Sequence, residues 1–333
     1  MTKFSVILPV RNGGNHIGEC INSILGQAYF NFELLILENN SSDDTLRIIH
    51  SFQDERIKVF SSKTDLTIEQ NWGRILQLNK AEFITLIGHD DVLDKRYLQE
   101  INSLIAEYPG AGLYQTHFKY INANGQEVRK CKPMFRYYTP EKAIAYFLED
   151  KIDLMGTGFM MRAKVYDEAG GIPPYPNLLF ADMQLMIDMA KNGGMAVSLR
   201  ELFSYRIHPA ATTSVSSDAK FLNAFGRLVD YLADLENKEP RLAGAIQNSS
   251  PVLLNKYCQG ITHKILKTNK KDRQTPSVRE AIDIFSGYSQ RLCNNKYAPL
   301  SNKAVRLGKT IDANPLLHWI FIIFKKIYKK PVL

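Results

Sequence analysis

The first hundred residues alternate short, continuously apolar runs with segments of helical periodicity. The apolar runs are Phe4–Val10, Glu33–Glu38, Ile57–Phe60 and Phe83–Gly88. Between them, apolar residues recur at helical spacing, as in Ile17, Ile21 and Ile24. Strands that are apolar throughout are typical of a parallel sheet with helices on both faces. The pattern therefore predicts an α/β fold.

Three of these predicted strands end in polar residues. The first runs into Arg11 and Asn12, the second into residues 39–44, and the fourth into Asp90 and Asp91. In a parallel sheet, ligands bind beyond the carboxyl ends of the strands. Two adjacent carboxylates repel each other unless water or a cation absorbs the charge. They suit a hard cation that in turn holds phosphates, such as a nucleoside diphosphate with Mg²⁺ or Mn²⁺.

Two other phosphate-binding signatures are missing from the sequence. It contains neither GxGxxG after the first strand nor GxxxxGK[ST] anywhere. Its composition, 45% hydrophobic and 23% charged, is that of a globular protein. The four cysteines lie far apart without a CxxC pair, which favours a reducing cytosol over a disulfide framework or a zinc site. The N-terminal apolar run is too short for a signal peptide and fits a first core strand.

The charge is unevenly distributed along the chain. Residues 1–215 carry 22 Lys and Arg against 25 Asp and Glu, or −3, whereas residues 216–333 carry 20 against 9, or +11. From Asp218 onward, apolar residues repeat at helical spacing. We therefore predict a body at 1–215 and a helical, basic C-terminal region at 216–333. The basic region predicts a polyanionic partner, either nucleic acid or an anionic membrane surface.

Five segments, in this order, resemble the motifs of the inverting, GT-A fold glycosyltransferases of family 2. They are SVILPVRNGGNHIGECINSILGQ, LLILENNSSDDT, NWGRILQLNKAEFITLIGHDD, GGIPPYPNLLFADMQLMIDMAKNGG and YRIHPAATTS. Together they cover residues 3–215, approximately. The resemblance implies a GT-A fold, a mostly parallel Rossmann-like sheet with flanking helices, that binds a nucleotide-sugar.

The sequence departs from the family pattern at four positions. Gly88 replaces the first acid of the L-D-x-D-D motif, and Glu38 replaces an Asp that contacts the base. Gln70 stands where an Arg is common, and Ala181 replaces the Glu before the catalytic Asp. These changes affect which nucleotide-sugar donor is expected more than they affect the expected reaction.

The resemblance also implies catalytic and metal-binding roles. Asp182 corresponds to the general base that deprotonates the acceptor hydroxyl. Asp91 corresponds to a direct ligand of Mn²⁺ or Mg²⁺, and Asp90 to a contact with the ribose or a metal-bound water. His208 is expected to contact the metal or the diphosphate, with help from Arg206. As isolated features, these residues equally suit a helix cap, solvated turn acids and a surface loop.

The remaining predicted contacts are to the donor nucleotide. Glu38 would accept a hydrogen bond from the imide of a uracil or thymine ring. The other predicted donor-binding residues are Pro9, Val10, Asn12, Asn40 and Asn71. Ordinary turn and capping chemistry is the alternative for each of them. The GTG at 156–158 is a candidate for contact with the acceptor sugar.

The C-terminal sequence NPLLHWIFIIFKKIYKKPVL combines an apolar run with lysines. The run Leu316–Phe324 has nine residues, whereas a membrane-spanning helix needs about twenty. We expect an interfacial anchor on anionic lipid, with a C-terminal helix docked on the body as the alternative. Nucleic acid is disfavoured because no binding module or interleaved aromatic pattern accompanies the basic residues.

The resemblance and the tail together predict a function. We expect transfer of a sugar from a UDP- or dTDP-sugar to a hydroxyl of a glycan, or of a polyprenyl-diphosphate-linked oligosaccharide, with inversion. The pathway would be that of a surface polysaccharide, at the cytoplasmic face of the cell membrane. One alternative is a catalytically silent sugar-nucleotide-binding or scaffolding subunit, suggested by Gly88. Another is a nucleotidyltransferase, for which RNGGN after the first strand is a poor phosphate loop.

Overall fold

The computed structural model describes residues 2–207, 217–270, 273 and 276–327. The chain forms two compact units. The first comprises Met1–Phe147 and Lys151–Val215, and the second comprises Leu148–Asp150 and Ser216–Leu333.

The first unit is built on one mixed sheet with helices around it. The strands are β1 Phe4–Val10, β2 Phe32–Glu38, β3 Ile57–Ser61, β4 Phe83–Leu86, β5 Val92–Leu93, β6 Leu113–Ile121, β7 Glu127–Lys130, β8 Tyr137–Tyr138, β9 Phe159–Arg162 and β10 Met195–Arg206. The helices are α1 Ile17–Leu25, α2 Thr45–His50, α3 Ile68–Gly73, α4 Tyr97–Glu107, α5 Pro140–Leu148, α6 Ala163–Glu168 and α7 Ala181–Ala190.

The sheet order is β3-β2-β1-β4-β9-β6-β10-β5, with β7 beside β6 and β8 beside β10. Strands β1 to β4 pair in parallel, as their continuous apolar sequences predict. Strand β9 then runs antiparallel between β4 and β6. The antiparallel part was harder to predict, because an edge strand such as β7 is exposed along its whole length and carries no apolar signal.

The register of the parallel strands brings their carboxyl ends to one edge. Val10 lies opposite Glu38 across β1 and β2, and Ile7 lies opposite Leu86 across β1 and β4. Both β1 and β4 are buried along their whole length. Polar side chains after these strands are therefore placed at one end of a rigid, buried platform.

The second unit is helical. Its helices are α8 Asp218–Lys238, α9 Pro240–Lys267, α10 Val278–Cys293, α11 Lys303–Ala313 and α12 Pro315–Ile327. The predicted helix beginning at Asp218 is present, and Phe225 of α8 stacks on Phe285 of α10 with their ring centroids 5.3 Å apart. In the part of the chain that the structure describes, no helix has the length and apolar character needed to cross a bilayer.

Candidate functional site

The loops after β1 and β2 are joined to each other by hydrogen bonds. Asn12 takes up a left-handed conformation with φ 52°, and its amide N–H donates to the Ser41 hydroxyl at 3.0 Å. In return, the Asn12 side-chain oxygen accepts from the Ser42 N–H at 2.9 Å. Gly13 and Gly14 donate their N–H groups to Thr45 and Asp43. These contacts hold the two strand ends as one concave edge.

The loops after β2 and β3 are tied together in the same way. The backbone of Asn40 is also left-handed, with φ 48°. Its side-chain amide donates to the Asp65 carboxylate at 2.7 Å, and Asp65 also forms an ion pair with Arg11. Val10 accepts a hydrogen bond from the Asn39 N–H at 3.0 Å. Pro9 and Val10 are buried strand residues, so they can contribute to the site through their backbone.

Glu38 and Asn71 are buried and already hydrogen-bonded within the protein. Glu38 closes β2, and its carboxylate accepts from the Ser41 N–H at 2.6 Å. Asn71 donates to the Leu37 carbonyl at 3.2 Å and accepts from Arg74 at 2.9 Å. The Asn71 nitrogen thus ties α3 to β2, and its oxygen orients Arg74, which itself donates to the Glu38 carbonyl at 3.1 Å. This geometry favours a positioning role for Asn71 over direct contact with the nucleotide.

Asp91 is held by three protein donors. It is 1% exposed, and one carboxylate oxygen accepts from the Arg206 N–H at 3.0 Å. The other oxygen accepts from the Thr157 hydroxyl at 2.8 Å and the Gly88 N–H at 3.3 Å. Burial, and next the charge of Asp90, raise the pKa of the Asp91 carboxyl to about 7.

At Gly88, both acids pack close to the backbone. A Cβ at position 88 would lie 2.8 Å from an Asp91 oxygen and 2.9 Å from an Asp90 oxygen. Asp90 is half-buried, so its side chain is more accessible than that of Asp91. The missing side chain thus creates a cradle flanked by two carboxylates, at the position where the family motif carries another acid.

Arg206 holds the turn that carries these acids. Its side chain is 1% exposed, and its Nε donates to the Asp90 carbonyl at 2.7 Å. The two Nη groups donate to the carbonyls of Asn122 and Ala123, at 3.0 and 3.1 Å, and to Glu19 at 2.7 Å. The guanidinium therefore joins α1, the acidic turn and the β6–β7 turn. The structure gives Arg206 a positioning role.

Asp182 lies in the first turn of α7, after a strained loop. Three non-glycine residues before it have positive φ: Asn177 at 55°, Leu178 at 53° and Phe180 at 66°. Such conformations cost about 1–3 kcal/mol each and concentrate at functional sites. Asp182 is half-buried, and burial raises the pKa of its carboxyl. A raised pKa suits a general base.

The strained loop is attached to α3 by one carboxylate. Glu69 of α3 accepts a hydrogen bond from the Asn177 N–H at 2.6 Å, across 108 positions of sequence. The Tyr175 hydroxyl donates to Gln184 and thereby attaches the loop to α7. The backbone before Asp182 is thus fixed from both sides.

The Tyr205 hydroxyl experiences the charges of Asp182 and of the acidic pair. Burial, and then the charges of Asp91, Asp90 and Asp182, raise the pKa of the Tyr205 hydroxyl. Asp90, Asp91 and Asp182 therefore all lie within electrostatic range of the same phenol.

The predicted metal ligand His208 lies outside the described residues. Within those residues, no group of three or more His, Cys, Asp or Glu is arranged to hold a metal ion. The metal roles of Asp91 and His208 therefore stay predictions.

Sequence reasoning missed several residues of this site. Thr157 lies in a GTG segment that was considered for the acceptor, but its hydroxyl binds Asp91. Glu69 gave no signal, because an acid in the first turn of a short helix is ordinary. Tyr205 alternates with Arg206 and Ile207, which indicates a strand but not which side chain faces the acids.

Comparison with known proteins identifies the family. The family model described as Glycosyl transferase family 2 matches residues 5–170, about half of the chain. The glycosyltransferase GlyG of Streptococcus pneumoniae serotype 4 is 25% identical over 123 residues, which are 36% of this chain and 41% of GlyG. The poly(ribitol-phosphate) beta-N-acetylglucosaminyltransferase TarS of Staphylococcus aureus is 28% identical over 145 residues, 42% of this chain and 24% of TarS. The matched part thus spans less than half the length of either relative.

A solved structure supports the fold. TarS residues 1–349 of S. aureus, in complex with UDP-GlcNAc, align with a TM-score of 0.71 and 16% identity, over 99% of this chain and 94% of that chain. The GT-A fold with a helical C-terminal region is therefore confirmed. The ordered motifs, the family model and the fold agree, and the chain belongs to glycosyltransferase family 2.

Proposed function

We propose that this glycosyltransferase moves a sugar from a UDP- or dTDP-sugar to a hydroxyl of a glycan or lipid-linked glycan, with inversion at the anomeric carbon. The observation that carries the proposal is the acidic turn after β4, where Asp91 is held by Arg206, Thr157 and Gly88. The neighbouring Tyr205 hydroxyl also experiences the charge of Asp182. An acceptor base and a diphosphate-binding pair in one site are what a single displacement requires. Attack opposite the leaving nucleotide then inverts the sugar.

The acidic turn fits a divalent cation. Mg²⁺ and Mn²⁺ are commonly held by one or two carboxylates together with substrate phosphates. Asp90 and Asp91 supply two carboxylates beside the cradle at Gly88, and a cation there would relieve their repulsion. When bound, the cation acts as a Lewis acid that neutralises the departing diphosphate.

We assign the two acids different roles from those that the family motif suggested. Asp91 is buried and accepts three protein hydrogen bonds, so it holds the turn in place. Asp90, which is half-buried, offers its carboxylate to the cation. His208 follows β10, which also carries Arg206, and remains our proposal for a further ligand.

Asp182 acts as the general base in this proposal. Its raised pKa strengthens its ability to accept a proton from the acceptor hydroxyl. The strained loop and α7 fix its position, because the bonds of Glu69 and Tyr175 hold the backbone on either side. Positioning of this kind supplies a large share of catalysis in two-substrate reactions.

The relatives support a choice of donor and of acceptor. TarS has been solved with UDP-GlcNAc and UDP, and this supports a uridine nucleotide as donor, with Glu38 and Asn40 at the nucleotide end. The TarS acceptor named in its description is a poly(ribitol-phosphate). By analogy we propose a surface polysaccharide or its lipid-linked precursor as acceptor, and a location on the cytoplasmic face of the membrane.

A comparison of two variants tests the proposal. Full-length protein is titrated calorimetrically with UDP, with and without Mn²⁺, and assayed for hydrolysis or transfer with a panel of nucleotide-sugars. Asp90→Asn should abolish the Mn²⁺ dependence of UDP binding. Asp182→Asn should leave UDP binding unchanged but lower turnover by about 10²–10⁴-fold, because the amide cannot take the acceptor proton.

Two results would contradict the proposal. Full turnover by Asp182→Asn would remove the base from this position. Metal-dependent binding of UDP-sugars without any turnover by the unmodified protein would instead support the sugar-nucleotide-binding subunit.

A further inference from the structure

Helix α12 presents its apolar side to solvent. Leu316, Ile320, Phe324 and Ile327 are spaced as one helical stripe, and all four are exposed, Ile327 by 81%. Trp319 extends the same surface with 61% exposure. A surface helix of a globular protein ordinarily buries its apolar side. Here the apolar face lies outward.

The buried side of α12 is centred on a polar residue. His318 is 5% exposed, and its Nε2 lies 3.1 Å from the Leu266 carbonyl and 2.9 Å from Arg273. His318 therefore fixes the orientation of the helix against α9. Because His318 and Leu316 lie on different faces, burying the apolar stripe instead would expose these polar contacts.

Cationic side chains lie near both ends of α12. Lys325 and Lys326 lie in the last turn of α12. Arg306 and Lys309 of α11 line a surface groove of about 610 Å³ that extends to Pro315, the first residue of α12. Asp312, the acid nearest along the chain, is buried and paired with Arg273. The surface thus combines exposed apolar side chains with cations.

We propose that this face, made of α12 with Arg306 and Lys309, docks on an anionic lipid bilayer. The apolar stripe would enter the interfacial region while the cations contact lipid phosphates. A second copy of the chain fits less well, because each copy brings a region of net charge +11 to the contact. The inference concerns the second unit alone and does not depend on the proposed reaction.

Vesicle flotation with full-length protein tests the inference. The vesicles contain phosphatidylcholine alone, or phosphatidylethanolamine with about 30% phosphatidylglycerol as the anionic lipid. We expect flotation with the anionic vesicles. Ile320→Glu or Phe324→Glu should each lower the partition coefficient at least about tenfold, since a charge replaces an inserted apolar side chain. Phe30→Glu is the matched control, because Phe30 is 76% exposed in the first unit, and it should float like the unmodified protein.

Trp319 provides a second measurement. The chain has two tryptophans, so in a Trp72→Phe variant the emission reports Trp319 alone. Its emission should shift to the blue on anionic vesicles.

The inference is overturned if the unmodified protein does not float, if Ile320→Glu floats equally well, or if sedimentation shows a lipid-free dimer that Ile320→Glu dissociates. Thermal unfolding of each variant confirms that it is folded.

Discussion

At the scale of single residues, Asp91 links folding to ionisation. Its pKa is raised to about 7, first by burial and then by the charge of Asp90, whereas an unfolded Asp titrates near pH 3.9. At a pH between these two pKa values, Asp91 is protonated in the folded state and ionised in the unfolded state. The free energy of unfolding without divalent cations should therefore fall as pH rises from about 4 to about 7, by at most about 1.4 kcal/mol per pH unit from this group.

Unfolding in urea, in the presence of a chelator, measures this effect. Asp91→Asn should remove the contribution, because the amide does not titrate. Asp90→Asn is the matched control and should retain most of it, since burial is the larger cause. Equal pH slopes for Asp91→Asn and the unmodified protein would show that Asp91 is not the titrating group.

Gly88 makes a second prediction possible at this scale. The cradle has no room for a Cβ, which would lie under 3 Å from both Asp90 and Asp91. Gly88→Ala should displace the pair and weaken Mn²⁺-dependent UDP binding at least about tenfold, a change of about 1.4 kcal/mol. Gly73→Ala is the control, since a Cβ there meets nothing within 4 Å. Unchanged binding by Gly88→Ala would mean that the cation does not use the cradle.

The residues show what the sequence could and could not predict. Asp182 and the acidic pair could be proposed from the sequence, because strand ends and ordered motifs mark these positions. The different roles that we propose for Asp90 and Asp91 could not be predicted, because they rest on donors from Thr157 and Arg206, which are distant in sequence. Gly88 stands where the family motif has an acid, and the structure adds that a Cβ there would lie within 3 Å of oxygens of both Asp90 and Asp91.

At the scale of secondary-structure elements, Glu69 makes α3 a support for the loop that precedes Asp182. Removing its carboxylate frees the Asn177 N–H and lets the strained backbone at Leu178 and Phe180 relax. Glu69→Ala should lower kcat about 10- to 100-fold, because a displacement of about 1 Å of a catalytic group has this effect. The KM for the donor should change little.

Glu69→Gln is the conservative control for this prediction. The glutamine keeps a side-chain oxygen that accepts the Asn177 N–H, so most of kcat should return. Steady-state kinetics of both variants, with thermal unfolding as a check of folding, separate positioning from stability. If Glu69→Gln is as impaired as Glu69→Ala, the charge of Glu69, and not its hydrogen bond, is what the loop needs.

The elements also differ in how well the sequence predicts them. Strand β1 matches its predicted range, and helix α1 contains the predicted Ile17, Ile21 and Ile24, because buried strands and amphipathic helices carry strong periodic patterns. The segment around Trp72 is a short α-helix followed by a 3₁₀ turn at Arg74–Gln77. The loop before Asp182 could not be predicted, because left-handed Leu and Phe residues oppose local preference and are imposed by tertiary contacts.

At the scale of the whole molecule, the charge asymmetry bears on membrane binding. Residues 216–333 carry +11 and residues 1–215 carry −3, and the apolar face of α12 is exposed. The two contributions respond differently to salt. Electrostatic attraction to anionic lipid is screened as the Debye length falls, whereas insertion of apolar side chains is not.

We therefore expect partial release of the full-length protein from anionic vesicles as salt rises from about 50 mM to about 500 mM, over which the Debye length falls severalfold. Flotation in a salt series measures the bound fraction. Ile320→Glu should be released more completely than the unmodified protein at high salt, because its apolar face is smaller and is interrupted by a charge. Lys325→Gln with Lys326→Gln should bind more weakly at low salt and show a shallower salt dependence, since each lysine near the surface contributes roughly 1 kcal/mol. Complete release of the unmodified protein would show that the lysines act alone and that the apolar face does not enter the bilayer.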